Sequence, residues 1–301
     1  SPHSCKQGKI MKLLNHYRVF FIVSLFFLLP GIYSLLKHGL LLGIDFTGGS
    51  LLEVKYESNI GPDQLELKQA VEEKNYSLVS IQSSGQNQAI IRTGHIDNQQ
   101  KDELIQALET KIGKLTVLRF ETVGPSLSKE LLEKTLVATG LVALIITIYV
   151  WRQFKDLKFG VCAVFAMFHD SLILLGSFSL LGVFFKIEVD VLFVTAILTT
   201  LSFSIHDTIV VFDRIRELRR QQPRLEMIKL ANIAVLETLN RSVNNSVTII
   251  LMLLALFLLG GESIRHFALA LLIGAVTGTY SSPFVAVPLV LEWDRWKRKI
   301  K

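Results

Sequence analysis

"VLFVTAILTTLSFSIHDTIVVF", residues 191–212, carries no fixed charge until Asp207, with the titratable His206 just before it, and the basic run "DRIRELRRQQPR" begins only at Asp213. A helix rises about 1.5 Å per residue and the hydrocarbon core of a bilayer is about 30 Å thick, so an apolar run of this length reads as a membrane span. Asp207 then lies about six residues, or roughly 9 Å, inside the span measured from Asp213. A carboxylate at that depth is costly unless it is paired, protonated or hydrated, and such a residue reads as functional.

Working outward, five more apolar runs have spanning length, giving spans at about 19–36, 135–151, 159–181, 191–212, 242–260 and 267–291. Composition agrees: 50% of residues are hydrophobic and 19% charged, with a mean hydropathy of +0.44, whereas soluble domains carry about 25% charged residues. Lys and Arg orient the spans. They crowd into the tail 1–18, the turn after the second span, the segment 213–241 and the tail 292–301, while only Lys186 and Arg265 occupy the two short loops opposite. Basic short loops stay cytoplasmic, so both termini are expected inside, in the cytoplasmic (inner) membrane. The net charge of +6 is thereby a topology signal and an anchor for membrane lipid, with no nucleic acid implied. The first span has basic flanks like a signal peptide, but no small-residue cleavage site follows it. Cys5 and Cys162 fall in the tail and the third span, which leaves no disulfide framework and no metal-ligand spacing.

Residues 37–134 form the one long polar interruption, an exported domain with 14 Asp/Glu and 11 Lys/Arg. "LLEVKYE" alternates as a strand, "GPDQLELKQAVEEKN" has helix-start chemistry and spacing, and "YSLVSIQSSG" and "QAIIRTG" flank Gly85 as a hairpin. "DNQQKDELIQALETKIG" reads as a second helix ending at Gly113, and "KLTVLRFETV" as the last strand. The order βαββαβ predicts a ferredoxin-like α+β domain. His95 reads as a surface residue, and no nucleophile, phosphate loop or metal cluster is present, so neither an enzyme nor a cofactor is expected. "GIDFTGGS", residues 43–50, joins the first span to the first strand; Asp45, Gly48 and Gly49 there suit either a tight turn or a hinge or interaction point.

Inside the spans, helical spacing places Thr200, Ser204, Asp207 and Val211 on one face and His206 on the adjoining one, with Thr208 beside them. Arg241, Asn245 and Thr248 form a stripe on the fifth span. Arg241 either shares a salt bridge or hydrated pocket with Asp207 or snorkels to the headgroups. Asp170, in "FHDS", lies near the middle of the third span and could make an interhelical hydrogen bond. Ala270, Gly274, Gly278 and Ser282 recur every four residues, a close-packing face of small-xxx-small type.

"GIDFTGGS", "FHDS", "HDTIVVFDRIRE" and "TLNR", in this order across six spans, resemble the SecF side of the SecD/SecF family, within the resistance-nodulation-division superfamily. The likeness covers nearly the whole chain from Met11. It implies half of a twelve-helix core that pairs with SecD, works beside the SecYEG channel on preprotein substrates, and couples proton or sodium motive force to export. By the same resemblance Asp207 and Arg241 take part in ion transport. His206 stands where the family usually has Asn, and "RSVNNS" where it usually has "RTxxTS", which leaves open how the site is tuned. Two other readings are half of a small-molecule or lipid exporter of that superfamily and a passive scaffold for the channel.

Overall fold

The computed structural model describes residues 14, 17–57, 64–73, 76–83, 87–154 and 156–300. The helix-start signal at residues 61–63, Gly85, and Cys5 with most of the first tail lie outside them. The chain divides into two units, Leu42–Val137 and the segments on either side of it.

Helix α1 (Tyr17–His38) precedes a single turn, α2 (Ile44–Thr47), and then strand β1 (Gly49–Tyr56). Gly48, between α2 and β1, and Gly49, the first residue of β1, have φ +74° and +114°. These angles belong to glycine. A Cβ on Gly49 would also stand 2.7 Å from the Thr93 carbonyl oxygen, closer than any side chain is tolerated. The turn therefore requires glycine for its backbone angle and for its close approach.

After β1 come α3 (Gln64–Glu73), β2 (Leu78–Ser83), β3 (Gln88–Thr93), α4 (Asn98–Ile112) and β4 (Leu115–Val123). The four strands pair antiparallel in the order β2-β3-β1-β4, with Leu52 opposite both Ile91 and Phe120. Period-two alternation sends Leu52, Val54 and Tyr56 to one face. There they bury against Leu67, Ala70 and Val71 of α3 and Leu104 and Leu108 of α4. Helix α4 starts where Asp97 and Gln100 cap each other reciprocally, at 2.8 and 2.9 Å, and stops at Gly113, whose φ is +92°. His95 is exposed, its Nδ1 2.8 Å from the Thr122 hydroxyl.

The remaining helices are α5 (Pro125–Gln153), α6 (Leu157–Phe185), α7 (Val191–Gln221), α8 (Met227–Leu259), α9 (Glu262–Ser281) and α10 (Val287–Ile300), the last two joined by a π-turn, Ser282–Ala286. Among the described residues six helices are long and apolar enough to cross a membrane, the sixth combining α9, the π-turn and α10. The basic segment 213–241 is mostly helical, with only residues 222–226 between α7 and α8. Its charges pair along and between the helices: Arg214 with Glu217 at 2.5 Å and Glu237 at 2.6 Å, Arg216 with Asp213 at 2.9 Å. Such i,i+3 pairs let helix continue past the apolar limit that marks a span in sequence.

Two helix pairs hold the bundle with fixed registers. Ser24 meets His169, Gly31 meets Gly176, and Ser34 meets Ser179, so α1 and α6 run parallel. A Cβ on Gly176 would fall 2.6 Å from the Cα of Gly31. On the other side Thr200 abuts Gly274, Ser204 abuts Gly278, and Thr208 bonds Ser282 at 3.0 Å, which makes α7 and α9 parallel as well. Small residues let backbones approach and hydroxyls bond across. α6 is the most enclosed of these helices after the sixth span, whereas nothing of the apolar stretch of α5 is buried inside the protein.

Candidate functional site

Asp207 sits half-buried on α7, one position before Thr208, which is wholly enclosed in the α7–α9 seam. Its Oδ2 accepts a hydrogen bond from the Ser242 hydroxyl of α8 at 2.7 Å. Beside it lies a crevice of about 30 Å³, lined by Phe203, His206 and Asp207 of α7, Asn245, Ser246 and Ile249 of α8, and Ala275, Gly278 and Thr279 of α9. That volume admits a water molecule. Thr279 donates to Ser246 at 2.7 Å, tying α9 to α8 at the crevice wall.

The crevice thus brings together Asp207, His206, Asn245 and Gly278, with Thr208 behind them in the helix seam. Gly274 packs one turn away against Thr200. His206 is exposed and Asn245 reaches the crevice from an exposed position. The polar lining can hold a water molecule and pass a proton, because a carboxylate, a titratable imidazole and hydroxyl groups converge on a water-sized space.

Arg241 lies elsewhere. It lines a wider open groove with Val210, Asp213, Arg214, Arg216, Glu217, Arg220 and Thr238. Among the described residues no ion pair joins it to Asp207, because the residue that faces the carboxylate is its neighbour Ser242, and one step along a helix turns the side chain by about 100°. Asp45, Gly48 and Gly49 belong to the α/β unit, at and after α2.

Asp170 is fully buried, 0% exposed. Its Oδ2 accepts from the Ser281 hydroxyl at 2.5 Å, and its Oδ1 is 2.9 Å from Nδ1 of the adjacent His169. The other ring nitrogen of His169, Nε2, bonds the Ser24 hydroxyl of α1. Sequence reading reached Asp170, and Ser242 only as a departure within "RSVNNS", but not His169, Ser24 or Ser281. The one signal available was the adjacency of His and Asp in "FHDS"; the serines are common residues whose meaning comes only from what they face. Pro283, inside the last span, lies in the π-turn that begins at Ser282, next to the point where Ser281 and Ser282 bond different helices.

A family model described as "Protein export membrane protein SecD/SecF, C-terminal" matches residues 103–296, and one described as "SecD/SecF GG Motif" matches 33–60. The second includes the glycine pair 48–49. The protein translocase subunit SecF of Thermobaculum terrenum is 41% identical over 91% of this chain and 91% of its own length. That of Anaerolinea thermophila is 37% identical over 97% of both. A crystal structure of SecDF from Thermus thermophilus, described as a translocon-associated membrane protein, superposes with a TM-score of 0.83 at 33% identity. The match covers 94% of this chain but 38% of that one.

Proposed function

Since the chain belongs to the SecD/SecF family of protein-export membrane proteins, we propose that it uses movement of protons or sodium ions past Asp207 to drive preprotein export. It is a multi-pass membrane protein of the SecF kind. In the proposed assembly its six spans pair with a SecD half to complete a twelve-helix core in the inner membrane, beside SecYEG, with both termini and the 213–241 segment cytoplasmic. The unit containing β1–β4 is then exported and engages the emerging preprotein.

The observation that carries this reading is the carboxylate of Asp207, placed in an apolar span yet held by Ser242 at a polar crevice between three helices. In the proposed cycle Asp207 exchanges its charge state as a cation passes. Its neighbours Thr208 and Ser282 then transmit the change to the α7–α9 seam, and α1 carries it to the exported unit. Arg241, in its groove of acidic and basic side chains, supplies positive potential near the mouth of the path. One elementary charge moved through 100 mV is worth about 2.3 kcal/mol, enough to shift a two-state domain about fiftyfold.

The test is ion flux and preprotein export in vesicles holding this chain, the SecD half and the channel. Asp207→Asn is expected to abolish ion-dependent export while the assembled subunits still co-purify. Full flux in that variant overturns the reading, and absence of channel subunits from the purified wild-type complex favours an exporter of another substrate.

A further inference from the structure

The polar groups around Asp207 do not account for the second buried acid of the bundle. Asp170 lies about thirteen residues into α6, roughly 20 Å along a helix that is about twice that length. It is fully enclosed, and a lone carboxylate in such surroundings is strongly disfavoured. What meets it is an imidazole on one oxygen and a hydroxyl donor on the other, His169 at 2.9 Å and Ser281 at 2.5 Å.

We propose that His169 and Asp170 form a second intramembrane site that takes up and gives back one proton, with Ser24 and Ser281 as its hydrogen-bonding ends. Resting on the reading of Asp207 as an ion-transport group, it adds a storage point on the same path. In one state the imidazole is neutral: Nδ1–H donates to Asp170, Nε2 accepts from the Ser24 hydroxyl, and the pair carries one negative charge. On uptake a proton from water of the ion path binds Nε2. Nε2–H then donates to Ser24, whose oxygen becomes the acceptor, and the imidazolium–carboxylate pair is neutral. Release returns the same proton to water. The neutral form suits a buried position, since two opposite charges in hydrogen-bond contact cancel where neither could stand alone.

The geometry links this exchange to both moving parts. Ser24 is on α1, the helix that leads toward the α/β unit. Ser281 is followed by Ser282, which bonds Thr208, and Thr208 follows Asp207. Consecutive serines, about 100° apart around the helix, thus serve α6 and α7 at the point where the π-turn begins. A change in charge of the His169–Asp170 pair therefore acts on Ser281, which bonds Asp170, and, one residue on, on the seam beside Asp207.

Other titratable groups on the packed helices are few around the pair. Tyr280 of α9 adjoins Ser281 and donates to the Phe20 carbonyl of α1 at 3.1 Å. Cys162 of α6 is buried about two turns away, and Lys158, bonded to Asp294 of α10, is about three turns away. On α7, His206 and Asp207 line their own crevice. On α1, Tyr17 and Arg18 lie toward one end, and Tyr33, Lys37 and His38 toward the other. The π-turn, "SPFVA", contributes none.

Two measurements test the proposal. Flux is read in vesicles holding the chain and its partner half, for wild type, His169→Gln, His169→Ala, Asp170→Asn and Asp207→Asn. His169→Gln keeps an amide for hydrogen bonding but cannot hold the proton, and a drop of about tenfold or more is expected. Normal flux in both His169→Gln and Asp170→Asn, with Asp207→Asn inactive, overturns the proposal and leaves the Asp207 reading standing. Loss of flux in His169→Ala with full activity in His169→Gln also overturns it, since the ring would then be a structural hydrogen-bonding group. The second measurement needs neither variant of the pair to fold. In the full chain with the other six histidines replaced, the ¹⁵N spectrum of His169 is followed between about pH 5 and 9. Conversion between neutral imidazole and imidazolium is expected, and a ring that stays neutral throughout overturns the proposal. Should Asp207→Asn prove fully active, the Asp207 reading fails and this spectrum alone decides whether the pair holds a proton.

Discussion

The α/β unit and the helix bundle, at its close-packed helix seams, solve the same problem with opposite materials. In the former, Leu52, Val54, Leu67, Ile91, Leu104 and Leu108 are essentially unexposed and close over one another, and removal of apolar surface from water is the driving force. In the latter, leucine and phenylalanine are spread over the outside: Phe26, Leu36, Leu136, Phe165 and Leu259 are all more than 60% exposed. The α1–α6 and α7–α9 seams are lined by Gly31, Gly176, Ser34, Ser179, Thr200, Ser204, Gly274 and Gly278, while the large buried residues of the bundle, among them Phe154, Phe159, Phe212 and Leu230, gather in one apolar cluster. Lipid tails are as apolar as leucine, so burial between spans gains little, and close backbone approach with hydroxyl bonding takes its place. The lesson is that in the bundle small residues at the helix seams should be as sensitive to substitution as the large core residues of the α/β unit.

The strongest break of that contrast is expected from Leu104→Ala, at a fully buried position. A cavity there should cost about 2–5 kcal/mol. Hydrogen exchange of the β1 and β3 amides in the full chain reads the loss, and the α1–α6 register should not change. The counterpart in the bundle is Gly176→Leu, where even a Cβ would meet the Gly31 backbone at 2.6 Å. Overpacking of about 1–3 kcal/mol is expected. In a background without the native cysteines, cross-linking of Ser34→Cys to Ser179→Cys should slow by roughly tenfold. An unchanged rate would show that the seam is not set by the glycines.

Smaller effects sharpen the comparison. Thr208→Val removes one hydroxyl bond to Ser282, and interhelical bonds of this kind average about 0.6 kcal/mol. A loss well above 2 kcal/mol in detergent unfolding would mean that the bond belongs to a larger cooperative network. Smallest at neutral pH is Tyr56→Phe. The Tyr56 hydroxyl is buried with no hydrogen-bond partner among the described residues, so its removal should change stability by no more than about 0.5 kcal/mol. Burial pushes this phenol up to about 12. Unfolded tyrosine ionises near its ordinary value of about 10, so the wild type should lose stability progressively between about pH 10 and 12. The variant should lack that part of the alkaline fall, and parallel curves for the two proteins would contradict the burial of the hydroxyl.

The elements themselves were legible because each repeats a simple period. Strand alternation in "LLEVKYE", the Asp97 start and Gly113 stop of α4, and the length of the apolar runs all act within a few residues of one another. The ends of the spans were less legible. Charge marks where hydrocarbon stops but not where helix stops, and Arg214, Glu217 and Glu237 keep α7 and α8 helical well beyond the apolar stretch. At the site, the stripe on α8 named Arg241 and Asn245, yet the group that reaches Asp207 is Ser242. Helical spacing sorts residues onto faces without saying which face a neighbouring helix presents.

By itself the amino-acid order determined six apolar spans, a βαββαβ segment between the first two, and an acid at position 207 that hydrocarbon cannot accept without help. These follow from hydropathy and periodicity, which are local properties of the chain. Only the tertiary structure decided who supplies the help: Ser242 for Asp207, and His169 with Ser281 for Asp170. A hydrogen bond between spans depends on helix register and rotation to within an ångström or so, and those are fixed by glycine and serine contacts between residues as far apart as 31 and 176.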